Sequence, residues 1–453
     1  MNPDTQRIKE LESCLDSFNA AIRSESLEEL VELADSGIVD FEPPQPVLNL
    51  HCHTFYSYNA YGYSPSKLAW LGKKSGLKFM GVVDFDGLDG VDEFFRACDL
   101  LNLRATAGIE TRIFVPEFEQ DVINSPGEPG VCYHMGVGFS SGSLSPEALE
   151  MASYLRWRAE ERNHQLIERL NKRISPVELD YDADVLPMTP SGYATERHMV
   201  IAVLNKAKGQ LRNPAFFWSK KLQLPLTEIK RVLKNRQAFL NLLRKKLFKR
   251  GGLAYQQPTT ATFPLVEPFH RLLVESGALP CSVWMDGTSS GEQKMAQLLT
   301  LFTGKGVVTL NIIPDRNWNF QDPREKQLKL KNLQELLALA EHFNLPLNIG
   351  TEMNSFGQKF VDTFDAPELG PFREAFIAGA EFVYGHTLLE RTLGLGYQSQ
   401  WAQKQLKTHA AKVDFYQGVG HIAKAGTTYL KLVRSLSDLQ SPRQVLTALS
   451  RIS

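Results

Sequence analysis

The chain has 453 residues, enough for a large core in one elaborated domain or in two to three smaller ones. Its 50 Lys and Arg against 51 Asp and Glu leave no net electrostatic bias toward nucleic acid or an anionic membrane. Five scattered cysteines (Cys14, Cys52, Cys98, Cys132, Cys281) argue against a disulfide framework or a thiolate cluster, and the polar start "MNPDTQRIKELESCLD" against an ordinary signal peptide. No apolar run reaches the roughly 18 residues of a membrane span, so a soluble, cytoplasmic protein is expected.

Residues 1–45 read as a helical arm with two amphipathic patterns, the second running from a Ser26 cap to a stop at Gly37. From Val47 the texture changes to strands alternating with helices. "VLNLHCH" leads to helix "SPSKLAWLGKKSG", with Ser64 as cap and Pro65 in the first turn. "FMGVVDF" leads to helix "GVDEFFRACDLLN", and strand "RATAGIETRIFV" follows. This βαβαβ rhythm predicts parallel strands joined by right-handed crossovers, with chemistry at the strand ends. His51 and His53 stand two apart at the first strand end, so they project to one face while Cys52 faces away. Two such imidazoles are a compact ligand pair for Zn, Mn or Fe, or else a hydrogen-bonded loop pair. Asp84 and Glu110 fall at the next two strand ends.

"CYHMGVGF" (132–139) is a further strand candidate and carries His134. After it the rhythm breaks into a mostly helical stretch, 141–275, taken as an insertion between barrel strands. Within it, residues 218–250 hold eleven Lys or Arg against one acid, Glu228, above a helical apolar stripe. No stacking aromatics interleave with those charges, so a solvated face is expected rather than a nucleic-acid surface. The α/β texture resumes with strands "GVVTLNIIP", "LPLNIGTEMN" and "AEFVYGHT". These place Glu352 and His386 near strand ends. Residues 401–453 read as helical cladding. The barrel proper is thus assigned to 46–140 and 276–400.

In the order of these motifs the sequence resembles the PHP family (polymerase and histidinol phosphatase domain) over roughly residues 47–360. "HCHT" at 51–54 matches its His-x-His-Thr opening, "GIE" at 108–110 its Gly-Ile-Glu, and His134 the lone histidine of the next strand. "TERHMVIAVL" at 195–204 is similar to the Arg-His stretch of a helical insertion in the branch acting on small nucleotides, giving Arg197 and His198. The resemblance implies a distorted (β/α)7 TIM-like barrel with a helical insertion, hydrolysing phosphate esters with up to three clustered ions. It also shows departures. The family's Thr-Asp-His reads "VVDFD", with Phe85 for histidine. Its third opening histidine falls at Asn59, and its late Gly-Ser-Asp-x-His reads "GTEMN", with Glu352 and Asn354. Its Ala-His-Pro reads "IIP", with Ile313 for histidine.

One ion site is therefore expected to be absent as a unit, with Phe85 filling its place. A second is reduced to Glu110 and His134. The first keeps His51, His53, Glu110 and Glu352, so one divalent ion is expected, at most two, with His134 beside it. The resemblance implies a metal-dependent phosphoesterase acting on a phosphorylated small molecule or nucleotide; for that chemistry Asp84 is the available general base, and Arg197, His198 and His386 are candidates to hold or protonate the phosphate ester. The rival reading is a catalytically degenerate relative that binds a phosphorylated ligand or a protein partner. A weaker third uses the 218–250 face to bring nucleic acid to the site.

Overall fold

Seven strands form a single sheet in chain order: β1 (Gln45–Cys52), β2 (Leu77–Phe85), β3 (Arg104–Phe114), β4 (Val131–Val137), β5 (Leu279–Trp284), β6 (Thr309–Ile312) and β7 (Leu347–Ile349). These come from a computed structural model describing residues 3–259, 262–437 and 439–453. Met1 and Asn2 of the arm, Thr260 and Ala261 of the insertion and Asp438 of the tail lie outside the described residues. Helices Pro65–Lys74, Val91–Leu100, Met295–Gly304 and Pro323–His342 connect the parallel pairs β1–β2, β2–β3, β5–β6 and β6–β7. The first of these starts as its sequence implies, with the Ser64 side chain accepting from the Lys67 N–H and Pro65 in the first turn.

The sheet curls until its ends meet. Just past β7, the Glu352 N–H donates to the His51 carbonyl at 2.7 Å, and the His53 N–H to the Glu352 carbonyl at 2.8 Å. The result is a mixed α/β fold around a nearly closed, barrel-like sheet. The two edges approach so closely that a Cβ on Gly350 would stand 2.4 Å from the His51 backbone nitrogen, which restricts that position to glycine.

Three readings of the sequence need correction. β4 is not parallel to its neighbours; it pairs antiparallel with both β3 and β5. The reason lies in residues 115–130, "VPEFEQDVINSPGEPG", which fold into a short 3-10 turn and a loop rather than a helix. With no crossover helix to carry it back to the start of β3, the chain returns beside β3 in the opposite direction. "AEFVYGHT" is not a strand but the middle of helix Arg373–Leu393, where every residue from Gly379 to Leu389 is buried. A helix covered on all sides shows an unbroken apolar run with no 3.6-residue stripe. The strand that completes the seven is "LPCSVW", a short run not singled out on sequence. In the arm, the second helix starts earlier than Ser26, at Ala20, with Asn19 as its cap.

The insertion has an apolar core of its own, built around Trp218, Phe239, Leu243 and Leu247 and separate from that of the barrel. Helix Pro146–Ile174 joins the two: Ala148 and Leu155 pack in the barrel core, Ile167, Leu170 and Ile174 in the second. Helix Val266–Glu275, grouped with the insertion on sequence, packs in the barrel core. The 218–250 stretch is not uniformly solvated either. Arg244 and Lys249 turn inward to Glu196, at 2.5 and 3.1 Å.

The tail folds as helices Gln400–Gln405, His409–Ile422, Thr427–Arg434 and Pro442–Ile452 against the barrel core. No helix among the described residues is long and apolar enough to cross a membrane. Helices Arg373–Leu393 and His409–Ile422 cross in near backbone contact. A Cβ on Gly420 would fall 1.9 Å from the Glu381 carbonyl oxygen, and one on Gly385 2.0 Å from that of Tyr416. Gly420→Ala should therefore destabilise the protein by about 1–3 kcal/mol through overpacking. Chemical denaturation of both proteins checks this; an unchanged midpoint would contradict the crossing described here.

Candidate metal centre

β1 delivers His51 and His53 to the inside of the barrel mouth, and β3 delivers Glu110 to meet them. His53 Nε2 is 3.2 Å and His51 Nε2 3.6 Å from Glu110 Oε2, and all three residues are at most 1% exposed. These three ligand atoms lie within 4.8 Å of one another, and none has a hydrogen-bond partner. Buried polar atoms are nearly always paired, so three orphans aimed at one point call for a missing partner. Two imidazole nitrogens and one carboxylate oxygen suit zinc, manganese or iron. Ligands about 2.0–2.1 Å from a tetrahedral ion stand roughly 3.3 Å apart, close to the separations found. The residues fit a divalent metal.

The neighbours of these ligands set their state. Burial pulls the His51 imidazole down, but the Glu110 and Glu352 carboxylates more than offset it and leave it raised. Burial pushes Glu110 up, while His51 and His53 bring it down to about 2. His53 Nδ1 contacts Ser57 Oγ at 3.2 Å, and the Ser57 hydroxyl donates to Asp84 at 2.5 Å. With its hydrogen committed to Asp84, Ser57 accepts from His53 Nδ1–H. That fixes the tautomer whose Nε2 lone pair faces Glu110. Ser57 was not singled out from sequence, although it stands four residues after His53 in "HCHTFYS".

The other expected site residues are placed less as the resemblance implies. Asp84 is buried beneath the loop after β1, its oxygens taken by the Thr54 N–H, the Thr54 hydroxyl and the Ser57 hydroxyl at 2.8, 2.7 and 2.5 Å. Burial raises its pKa against those donors. Three donors and full burial tie Asp84 to the loop after β1, so in this structure it orients Thr54 and Ser57 rather than facing the cleft as the expected general base.

His134 lies opposite Thr111 across the antiparallel ladder, one residue out of step with Glu110. Its ring therefore takes the other face, against Phe269, His270 and Phe302 of flanking helices, with its Nε2 2.7 Å from His270 Nε2. This register of β4 against β3, unforeseen in the sequence, removes it from the metal point.

Glu352 comes near the cluster but is held away from it. Arg316 Nη2 and Gln358 Nε2 both donate to its Oε2, at 2.6 and 2.8 Å. Glu352 and Met353 both occupy the left-handed region, at φ +64° and +57°. His386, now mid-helix, donates from Nε2 to the Gly138 carbonyl and accepts the Tyr397 N–H at Nδ1, which leaves neither nitrogen for a substrate.

The positions where the family resemblance would put further ligands are filled by other contacts. Phe85 stacks on His53, centroids 4.6 Å apart. Asn59 ties the loop through the His53 carbonyl and the Tyr61 N–H, and Asn354 accepts from Arg197 at 3.0 Å.

Above this layer a cleft of about 450 Å³ opens between barrel mouth and insertion, lined among others by Phe85, Tyr133, Arg197, Arg244, Lys249 and Arg316. Its cations are aimed by polar partners: Arg197 by Asn354 and Ser355, Arg244 and Lys249 by Glu196, Arg316 by Glu352. His198 stands behind Arg197, its Nδ1 accepting the Thr195 N–H at the head of helix Glu196–Gln210 and its ring edge-on to Tyr58. Burial alone brings His198 down to about 4. Sequence reasoning found Arg197 but missed Arg316, in "IIPDRNW". It counted Arg244 and Lys249 as surface charges because their partner, Glu196, lies far away in the chain.

No family model matches the chain. A stretch of 85 residues is 33% identical to part of the error-prone DNA polymerase of Cutibacterium acnes, covering 19% of this chain and 8% of that protein. Among solved structures the chain is similar to an amidohydrolase from Chromobacterium violaceum with bound sulfate and no metal. That match has a TM-score of 0.47 and 14% identity over 68% of this chain and 88% of the other. It is also similar to a protein from Bifidobacterium adolescentis described as a metal-dependent phosphoesterase, with a TM-score of 0.45 and 16% identity over 72% of this chain and 96% of that one.

Two substitutions test the centre. Glu110→Gln should abolish stoichiometric zinc or manganese binding, and Ser57→Ala should weaken it about 10–100-fold by freeing the His53 ring. Elemental analysis and calorimetric titration with each metal measure both. Full metal content in Glu110→Gln would rule out the cluster as a ligand set.

Proposed function

We propose that this chain is a metal-dependent hydrolase of a phosphorylated small molecule, with one divalent ion held by His51, His53 and Glu110. The observation that carries the reading is the set of three buried ligand atoms without partners, next to a cation-rich cleft whose wall residue Phe85 stacks on His53. Two histidines and one glutamate form a ligand set that leaves a coordination position open. A bound ion would supply Lewis acidity toward a phosphoryl oxygen and a water acidic enough to ionise near neutral pH.

The protein's own groups do the rest. Ser57 and Asp84 keep the His53 lone pair aimed inward. Arg197, Arg244, Lys249 and Arg316 take the phosphate charge, the guanidinium groups offering forked pairs of N–H donors. Tyr58 and Tyr133 flank them with aromatic surface.

Two observations favour a second reading, a phosphate-ester binding protein without turnover. Phe85 lies flat on His53, and the Arg316–Glu352 pair sits between the ligand cluster and the cleft. Elemental analysis of the purified protein, followed by phosphate release from a panel of phosphomonoesters and phosphodiesters with added manganese or zinc, separates the two. Bound metal with turnover supports the hydrolase. Saturable ester binding without turnover supports the second reading, and neither metal nor binding sinks both.

Glu352 enters this scheme as the partner of Arg316 rather than as a ligand. Glu352→Gln should keep its metal and bind inorganic phosphate about tenfold more tightly, since a carboxylate that lines the cleft and neutralises Arg316 is removed. Metal loss in that variant would restore Glu352 to the ligand set.

A further inference from the structure

The starts of β1, β2 and β3, at the end of the barrel away from His51 and Glu110, surround a second concavity of about 530 Å³. The link between helices His409–Ile422 and Thr427–Arg434 closes its side. Lys73, Lys78, Arg104 and Lys424 line it, against a single acid in the wall, Glu42. Lys78 has a counter-charge, Glu381 at 3.2 Å. Among the described residues, no carboxylate stands within 4.0 Å of Lys73, Arg104 or Lys424.

Two of those three are fixed by aromatic faces instead. The Arg104 guanidinium lies 5.1 Å from the Phe79 centroid and 5.8 Å from that of Tyr384, and Lys73 lies 5.5 Å from that of Phe41. A ring face holds a cation in place without neutralising it, so its N–H donors stay available. Tyr384 also donates its hydroxyl to the Lys424 carbonyl, so one side chain braces Arg104 and the backbone that carries Lys424. Burial lowers the pKa of Lys73, the expected response of a desolvated cation without a counter-charge.

This end of a barrel ordinarily contributes stability rather than chemistry. Here the wall keeps a surplus of two positive charges even after Glu42 and Glu381 are counted, and mutual repulsion works against stability. A chain whose total charge is −1 has acids enough to have matched them.

We propose that this concavity is a second binding site, for a small phosphate compound carrying several negative charges. One forked guanidinium and three ammonium groups from different elements match a polyphosphate or bisphosphate better than a single carboxylate, which would leave cations unmatched. The site is separate from the cleft: Arg104 and Glu110 stand six residues apart on β3, about 20 Å.

Inorganic pyrophosphate tests the proposal on the intact protein. Calorimetric titration compares the wild type with Arg104→Met/Lys424→Met and with the cleft variant Arg197→Met/Arg316→Met. The first pair should lose one binding event or weaken it at least about tenfold, while the cleft variant keeps that event. In the wild type, pyrophosphate should protect Lys73 and Lys424 from amine acetylation read by mass spectrometry. Unchanged titration of Arg104→Met/Lys424→Met would overturn the site. Equal protection by sulfate at matched ionic strength would also overturn it, as charge screening alone. Should the double variant fail to fold, the wild-type labelling decides by itself.

Discussion

The barrel closes through one short seam, and the candidate centre exists because of it. Two backbone hydrogen bonds from the Glu352 peptide to His51 and His53 join the last strand to the first. They set the rotation of β1 about its own axis. On a strand, that rotation decides which alternate side chains point inward. Gly350 lets the two backbones meet at van der Waals range, and the left-handed conformations of Glu352 and Met353 then carry the chain out of the strand direction. Such residues cost about 1 kcal/mol or more each and persist only where the surroundings impose them. Here the two hydrogen bonds do so, in a place where a carboxylate must be turned toward Arg316.

Electrostatics then divides the mouth into two layers. Below, two neutral-capable imidazoles and one carboxylate form a buried pocket of electron pairs, which attracts a cation. Above, guanidinium and ammonium groups gather, which attracts an anion. Phe85 and the Glu352–Arg316 pair lie at the boundary. Glu196 has a similar part from the insertion side. It is drawn far below the ordinary carboxylate range by Lys249, Arg244 and Arg112 in spite of its burial, so it stays charged and keeps those cations in position. Opposite charges stacked in this order suit a ligand that must present a negative group to both a metal and its surroundings.

Much of this was legible in the sequence where local rules suffice. β1 to β3 could be read because each is a run of apolar residues bounded by caps, prolines and glycines. His51, His53 and Glu110 could be placed at strand ends by the period of two. What could not be read depends on contacts distant in the chain. The direction of β4 follows from a connection that lacks a helix, and the face of His134 from the register in which β4 pairs with β3. The helical state of "AEFVYGHT" follows from burial on every side, which erases the amphipathic stripe that normally distinguishes a helix. The fate of Glu352 was decided by Arg316, a residue of the short helix Asp315–Trp318 after β6. His386 carried a catalytic expectation only because its segment was taken as a strand.

The separate core of the insertion bears on how the chain reaches this structure. β4 and β5 are neighbours in the sheet, and Val137 pairs with Leu279, yet the whole insertion lies between them in sequence. Joining two strands across so long a flexible segment is slow, because loop-closure entropy must be lost before the pairing is gained. An insertion able to gather its own apolar residues around Trp218 can fold first and bring its two ends together. The distance that β4 and β5 must search is then that of a short tether. The partition of the two cores thus shortens the effective separation of β4 and β5 along the chain.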